Sequence, residues 1–341
     1  MLRIIITSLF ISSVICANNK PTIGILTNPS DMKDYDKSLY SYFPSSYVKW
    51  IEQAGARVIP IHWDSSYDEI TVILSQINGV LFTGGDADLY LNNTQPGFTF
   101  NKFTDTASFI FQKVIQFNKA GKFYPLLGIC QGFQLINYIA SSYYEVLTRM
   151  TDDLGRQRLL EIVPEEDSYV LNSIDKSTLE YLKNVDGPYY SHNWGVVQQT
   201  YEKSYSLGAF FKITGYGRDG VNLKYIAICE GREVPIYGYQ FHPEKHPFEW
   251  ITKATHDVQH ITYSQELAMA FIAMARKNDN FISDEELSQY IIYNYKQVNR
   301  MHVPNTSFSQ VYLFDRNRNE TRTDQQQLGI QWTIKYFRKY K

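Results

Sequence analysis

Short apolar runs alternate with longer stretches of helical periodicity through the first 140 residues. Between the runs, apolar side chains recur every three or four positions, most clearly over residues 104–120, where Gly121 ends the pattern. Strands of about five residues separated by helices of ten or more predict βαβ units and a parallel sheet. The four predicted strands lie at residues 22–27, 57–61, 79–82 and 125–129.

The second half of the chain has a less regular pattern. Residues 221–229 and 234–240 predict two strands joined by a turn, and residues 263–276 predict a helix with an apolar face. Two stretches lack a clear period. Residues 35–43, which are polar and rich in tyrosine, are predicted to be a loop, and the charged residues 145–186 are predicted to be irregular structure or a subdomain rather than a separate core.

The N-terminus has the pattern of a secretory signal peptide. One basic residue precedes an apolar segment over residues 4–15, and small residues follow up to Ala17, the predicted cleavage position. The segment is too short to span a bilayer comfortably, and no later stretch reaches its length. We therefore predict three parts, which are a signal peptide at 1–17, a single domain at 18–314 and a polar C-terminal extension at 315–341.

Composition excludes some functions. With a formal net charge of -2, the 341-residue chain offers no electrostatic reason to bind nucleic acid or a membrane surface. Beyond the signal segment only Cys130 and Cys229 remain, so a disulfide scaffold is not expected. Three Asn-X-Ser/Thr motifs suit a secreted glycoprotein and begin at Asn92, Asn305 and Asn319.

The run at residues 125–129 ends at Cys130, and helical spacing begins directly after it. Cys130 stands between Gly128 and Gly132, which is the thiol form of the nucleophile elbow. Such a turn projects the nucleophile from the carboxyl edge of a sheet, and the positive end of the next helix favours a thiolate. Cys130 is therefore the predicted nucleophile, whereas Cys229 lies in an apolar run and is predicted to belong to the core.

A cysteine nucleophile needs a base, and His242 is the best candidate. It directly follows the predicted strand at 234–240, and the carboxyl ends of strands are where α/β active sites gather. Glu244 lies two residues further on, where its carboxylate can hold the imidazole in one tautomer and stabilise its charged form.

Acyl transfer also needs donors for the oxyanion. The backbone N–H groups of Gln131 and of the Gly85 turn are candidates, although an ordinary glycine turn explains the second equally well. His192 lies beside Trp194, and this pattern fits a pocket wall or a structural histidine equally. The spacings of His242 with His246 and of His256 with His260 can suit zinc, but no third ligand is evident, so no metal is expected.

These motifs resemble the class I glutamine amidotransferase superfamily with its Cys-His-Glu triad. Within it, the chain most resembles the folate γ-glutamyl hydrolases, C26-type cysteine peptidases, from about Lys20 to Phe314. The stretches that carry the resemblance include Gly128-Ile129-Cys130-Gln131-Gly132-Phe133-Gln134, His192-Asn193-Trp194 and Phe241-His242-Pro243-Glu244-Lys245.

The resemblance implies a three-layer α/β sandwich with a mostly parallel central sheet flanked by helices. It also implies hydrolysis of folylpoly-γ-glutamates through a thioester on Cys130, with His242 as acid and base, Glu244 as its partner and His192 lining the substrate site. The family enzymes need no cofactor, are often homodimers and are secreted, lysosomal or vacuolar.

Gln131 and Gln134 bring the elbow closer to amidotransferases and to bacterial hydrolases of γ-glutamyl small amines than to animal folate enzymes. A glutaminase or amidotransferase, or a small-amine γ-glutamyl hydrolase, is therefore the alternative function. A glutaminase partnered with a synthetase would be cytosolic, which the signal segment disfavours. An inactive binding protein on the same fold would be expected to lack one member of the triad, and all three are present.

Overall fold

The computed structural model describes residues 18–89, 101–142, 146–151, 154–164, 166–304 and 306–316. The predicted signal peptide, the three acceptor asparagines and the extension beyond residue 316 lie outside the described residues. None of the described helices combines the length and apolarity needed to cross a membrane.

The described residues form strands and helices that alternate up to residue 140 and are mixed afterwards. The strands are β1 (Thr22–Leu26), β2 (Asn28–Pro29), β3 (Tyr40–Pro44), β4 (Arg57–Ile61), β5 (Gly79–Phe82), β6 (Leu126–Ile129), β7 (Thr148–Arg149), β8 (Leu154–Gln157), β9 (Glu161–Ile162), β10 (Tyr189–Ser191), β11 (Trp194–Gly195), β12 (Phe211–Arg218), β13 (Lys224–Gly231), β14 (Ile236–Tyr239), β15 (Gln297–Asn299) and β16 (Gln310–Asp315). The α-helices are α1 (Ser45–Glu52), α2 (Tyr67–Gln76), α3 (Lys102–Lys119), α4 (Gln131–Ala140), α5 (Tyr169–Asn172), α6 (Lys176–Asn184), α7 (Gln198–Lys203), α8 (Tyr205–Phe210), α9 (Lys245–Phe248), α10 (Val258–Ala275) and α11 (Asp284–Tyr290), and a 3-10 turn spans Ile292–Asn294.

An eight-stranded sheet forms the centre, in the order β4-β1-β5-β6-β14-β13-β12-β9. The first five strands pair in parallel, and the remaining three pairings, from β14 outward, are antiparallel. All residues of β1, β5, β6 and β14 are buried, as expected for parallel strands covered on both faces. The predicted α/β fold with a mostly parallel central sheet is confirmed.

Two hydrophobic cores lie on opposite faces of this sheet. Ile25 of β1 joins a core with Trp50 of α1 and Phe271 of α10, and the indole N–H of Trp50 donates to the carbonyl of Ser264, 2.9 Å away. The next residue, Leu26, joins the other core, in which α2, α3 and α4 pack. Successive side chains of a strand point to opposite faces, so this alternation places one helical layer on each side of the sheet.

The prediction of a loop at residues 35–43 is wrong for residues 40–43, which belong to strand β3. β3 pairs with β16 from the far end of the chain in a separate four-stranded sheet, and no local pattern could reveal that partner. β16 includes Asp315, and the Arg316 guanidinium donates to Asp64 at 3.0 Å, so folded structure continues past residue 314. The region predicted as irregular at 145–186 contains short strands and two short helices, and the hairpin of β13 and β14 matches the two predicted later strands.

Candidate active site

Three neighbouring parallel strands end at the predicted site residues. β6 lies between β5 and β14, and the paired positions at their carboxyl ends bring the turn after β5, the residue after β6 and the segment after β14 to the same edge of the sheet. Gly84 follows β5, Cys130 follows β6 and His242 follows β14. The strand order therefore brings together residues that are far apart in sequence.

The turn at Cys130 has the tight backbone of a nucleophile elbow. Its φ of 53° and ψ of -107° place Cys130 in a region that residues other than glycine rarely occupy. A Cβ on Gly128 would lie 2.5 Å from the carbonyl oxygen of Gly132, and a Cβ on Gly132 would overlap the carbonyl oxygen of Phe82. The predicted need for glycine on both sides therefore has a steric basis.

His242 and Glu244 form a buried pair beside the elbow. The Nδ1 of His242 lies 2.8 Å from Oε1 of Glu244, and the two side chains are 4% and 0% exposed. The Tyr47 hydroxyl lies 3.2 Å from the same Nδ1 and accepts a hydrogen bond from the backbone N–H of Gly84 at 2.9 Å. With Nδ1 directed at Glu244, Nε2 is the nitrogen left to exchange a proton with a reacting group.

Burial alone would lower the pKa of His242, but neighbouring negative charge outweighs it. The charge of Cys130 and then that of Glu244, with the hydrogen bonds that these two side chains accept from the ring, raise the pKa of His242 from 6.5 to about 9. The imidazole is therefore protonated at neutral pH and lies in hydrogen-bonding contact with Cys130.

The turn after β5 lies against the elbow, since a Cβ on Gly84 would lie 3.3 Å from the Cβ of Cys130. The N–H of Gly84 donates to Tyr47 and that of Asp86 to Asp31, while the described residues provide no acceptor for the N–H of Gly85. A Cβ on Gly85 would lie 2.6 Å from Nδ2 of Asn28, which explains why glycine occupies this position.

The side chain of Gln131 connects the elbow to this turn, a role that the sequence pattern did not indicate. Its Nε2 donates to the carbonyl of Ala87 at 2.8 Å, and its Oε1 accepts from the N–H of Ala87 at 3.1 Å. Paired bonds to both polar groups of one backbone residue hold the turn at a set distance from the first turn of α4.

His192 is a buried, neutral ring that lines the same cleft as Cys130. Its Nδ1 lies 3.0 Å from the carbonyl of Trp194, which also accepts from Nε2 of Gln134 at 2.6 Å. Burial and the positive charge of His242 lower the pKa of His192 to about 3. The carbonyl of neighbouring Ser191 lies 3.9 Å from the sulfur of Cys130.

A cleft of about 710 Å³ joins these groups. Cys130 is only 5% exposed, but it lines the cleft. The same cleft is lined by Gly85, Gln131, His192 and His242, while Glu244 lies behind His242.

The cleft walls also include charged residues that sequence reasoning missed. Lys245 and Arg300 line the cleft although both are almost fully buried. The position of Lys245 directly after His-Pro-Glu was an available signal, whereas no sequence pattern marks Arg300 or the hydroxyl of Tyr47.

The histidine pairs considered for zinc have other partners. Nδ1 of His246 lies 2.7 Å from the carbonyl of Thr255, and Nδ1 of His260 lies 2.8 Å from Asp257. Within the described ranges no group of three His, Cys, Asp or Glu side chains is arranged to hold a metal ion.

The sequence of the chain is similar to those of known peptidases and hydrolases. Residues 21–154 match the family model described as Peptidase C26. Over 300 residues the chain is 33% identical to the gamma-glutamyl hydrolase of Bos taurus, with 87% of this chain and 90% of that protein covered. The chain belongs to the gamma-glutamyl hydrolase family.

Other members of the gamma-glutamyl hydrolase family match over a similar length. Gamma-glutamyl hydrolase B of Dictyostelium discoideum is 30% identical, covering 90% of this chain and 86% of that protein. The gamma-glutamyl hydrolase of Homo sapiens is 29% identical, covering 87% and 90%. Membership in this family of C26 peptidases identifies the chain as a hydrolase with a cysteine nucleophile.

Proposed function

We propose that the chain cleaves γ-glutamyl bonds of folylpoly-γ-glutamates through a thioester on Cys130. One observation carries the proposal, namely that Cys130 at a strained elbow and the buried pair of His242 with Glu244 meet in one cleft of a gamma-glutamyl hydrolase family member. The family comparison supports the γ-glutamyl bond, and the resemblance of the motifs to folate enzymes supports the folate substrate.

The proposed reaction proceeds in two balanced steps. The Cys130 thiolate attacks the γ-carbonyl carbon, and the N–H groups of Gly85 and Gln131 stabilise the oxyanion. His242 then donates its proton to the departing amine, so that a γ-glutamyl thioester and a free amine result. In the second step, neutral His242 takes a proton from a water molecule, and this water attacks the thioester. The product with the new γ-carboxyl group then leaves, and the Cys130 thiolate and protonated His242 are regenerated.

Glu244, Gln131 and His192 each have a defined role in this scheme. Glu244 keeps Nδ1 of His242 occupied, so the ring presents Nε2 to the sulfur and its positive charge is stabilised. The Gln131 side chain holds the turn that carries the N–H of Gly85. His192, neutral and buried, forms part of the substrate wall next to Trp194.

The cleft suits a substrate with several carboxylates. Its volume is within the usual range of about 300–1,000 Å³ for small-molecule sites. Lys33, Lys245 and Arg300 lie along its walls. We further propose that the enzyme works in a secreted, lysosomal or vacuolar compartment, as the signal segment suggests, and without a cofactor. A homodimer is proposed from the resemblance alone.

Hydrolysis of γ-glutamyl small amines is the second candidate function. Gln131 and Gln134 line the cleft where the animal-type elbow sequence has other residues, which favours this alternative. It would use the same thioester chemistry on a shorter leaving group.

Product analysis distinguishes the candidates. Purified protein is incubated in parallel with pteroylpentaglutamate, glutamine and a γ-glutamyl amine, and released products are separated by chromatography. We expect release of glutamate or shorter folates from the first substrate and little turnover of glutamine. Turnover of the γ-glutamyl amine or of glutamine without folate cleavage would overturn the folate proposal and favour an alternative.

The pH dependence of hydrolysis should report the raised pKa of His242. Because this pKa is about 9, against 6.5 for the free side chain, the ring of His242 stays protonated through neutral pH and loses its proton as pH rises through 9. We expect kcat/KM to fall on the alkaline side with an apparent pKa near 9. Glu244→Gln removes one of the charges that raise it and should shift this limb to lower pH. A profile from pH 5 to 10 checks both, and an unmoved limb in the variant would contradict the assignment.

A further inference from the structure

Lys245 is a buried cation in the wall of the catalytic cleft that the mechanism above does not use. It directly follows Glu244 and is the first residue of α9. Its exposed fraction is 1%, yet it lines the same cleft as Cys130 and His242. Its position is therefore set by the same turn that sets the position of the imidazole.

The ammonium group of Lys245 has few polar partners. Nζ donates to the carbonyl of Ser307 at 3.0 Å and lies 4.8 Å from the ring centre of Phe308 and 5.8 Å from that of Tyr189. In the part of the chain that the structure describes, no carboxylate lies within ion-pair distance of it. Buried Glu249 is the carboxyl that it influences from further away.

Arg300, the other buried cation of the cleft, already has a carboxylate partner. Its two terminal nitrogens lie 2.8 and 2.9 Å from the carboxylate oxygens of Asp34, so its charge is neutralised by a bidentate pair. A ligand carboxylate would have to compete with Asp34 for Arg300, but it would meet no such competitor at Lys245.

A buried ammonium that lacks a carboxylate partner is costly unless a ligand supplies one. An ammonium has three N–H donors, and the bond to Ser307 uses one of them. In a γ-glutamyl substrate, a carboxylate lies only a short methylene chain away from the carbonyl that Cys130 would attack. Lys245, three positions after His242, lines the same cleft as Cys130.

We propose that Lys245 binds the free α-carboxylate of the glutamyl residue whose γ-carbonyl is attacked. The proposal rests on the proposed γ-glutamyl hydrolase chemistry of this site and adds the group that recognises the free carboxylate of the substrate. A γ-glutamyl substrate whose α-carboxylate is converted to an amide would leave the buried ammonium unpaired. The site thereby selects γ-glutamyl substrates that carry a free α-carboxylate.

The test pairs a change in the enzyme with a change in the substrate. γ-Glutamyl p-nitroanilide is compared with its α-carboxamide analogue, and neither contains folate. For the unmodified enzyme we expect the carboxamide to lower kcat/KM by about 100-fold, the usual range for losing a charged hydrogen bond. Lys245→Met should cause a similar loss, about 100-fold, with the carboxylate substrate but only roughly threefold with the carboxamide.

Two further variants complete the design. Lys277→Met removes an exposed lysine that also lies over two aromatic rings, those of Phe123 and Tyr169, but does not line the cleft, and it should change both rates by no more than roughly threefold. Lys245→Arg keeps the charge and should retain part of the discrimination between the substrates. Thermal unfolding of each variant checks that it is folded.

Several outcomes would overturn the proposal. Equal losses of Lys245→Met on both substrates would indicate a role in positioning His242, and no loss on either would exclude contact with substrate. An unmodified enzyme that cleaves both substrates equally would also exclude it, without any variant. If neither anilide is cleaved, calorimetry on the Cys130→Ala variant tests the proposal by ligand binding. Glutamate should bind this variant at least tenfold more tightly than its α-amide does. Adding Lys245→Met should remove that difference in affinity. Folate cleavage is measured separately, so a failure to cleave folates would not affect the test of Lys245.

Discussion

Replacing Cys130 by alanine is expected to lower kcat for γ-glutamyl hydrolysis by about 10⁴-fold or more. The variant loses the sulfur that would form the thioester, and the remaining oxyanion donors can supply only weak catalysis of direct water attack. Alanine has the same Cβ as cysteine and adds no backbone strain at this position, where φ is 53°, so the elbow should be retained. Steady-state kinetics on the substrate found in the product analysis, with circular dichroism for the fold, measures the effect.

Cys229 supplies the matched control for this prediction. It is fully buried in β13, its sulfur lies 3.7 Å from Nδ2 of Asn137, and burial raises the pKa of its thiol well above the usual value. Cys229→Ala should therefore keep hydrolysis within roughly threefold and lose about 1 kcal/mol of stability from the small cavity. The reverse pattern, in which Cys229→Ala is inactive and Cys130→Ala active, would refute the assignment of the nucleophile.

Replacing Gly132 by alanine is expected to destabilise the fold by about 3 kcal/mol or more. The added methyl would overlap the carbonyl oxygen of Phe82 and approach the Phe82 Cβ to 2.8 Å. Both contacts belong to the central strand β5, whose neighbours hold it on both sides, so it cannot move away cheaply. The midpoint of urea unfolding should fall sharply, and the surviving folded fraction should be inactive because the elbow is displaced.

Gly208 is the control for that substitution. It lies in α8, and a Cβ built there meets no atom within 4 Å. Gly208→Ala should therefore leave stability unchanged or raise it by up to about 1 kcal/mol, since alanine loses less backbone entropy in a helix. If Gly132→Ala behaved like Gly208→Ala in urea unfolding, the close approach of α4 to β5 would be incorrect.

Local patterns predicted the parallel half of the fold well. β1, β4, β5 and β6 lie within two residues of the runs that predicted them, because buried parallel strands are continuously apolar and their helices begin and end at clear signals. The hairpin of β13 and β14 was likewise predicted, with its turn moved by about two residues.

The antiparallel periphery could not be predicted in the same way. β12 was missed, and β3 was taken for a loop, although it pairs along its length with β16. The two-residue strands β7, β9 and β11 have no period of their own and exist because a distant partner lies beside them. Pairing of this kind depends on tertiary context more than on intrinsic preference.

Of the candidate site, the sequence by itself determined the chemical types and their local geometry. Glycines on either side of Cys130 specify the elbow, and the spacing of His242 and Glu244 allows them to form a pair within one turn. These are contacts between near neighbours in the chain, and their steric and hydrogen-bonding rules apply before the rest of the chain folds.

Only the tertiary structure decided that these groups form one site. The order of β5, β6 and β14 brings Gly85, Cys130 and His242 to one edge, and the packing of α1 brings the Tyr47 hydroxyl against them. The burial of Lys245 likewise depends on the segment around Phe308. Proximity between residues far apart in sequence, and with it the raised pKa of His242, arises from the strand order and packing of the whole chain, which no local pattern encodes.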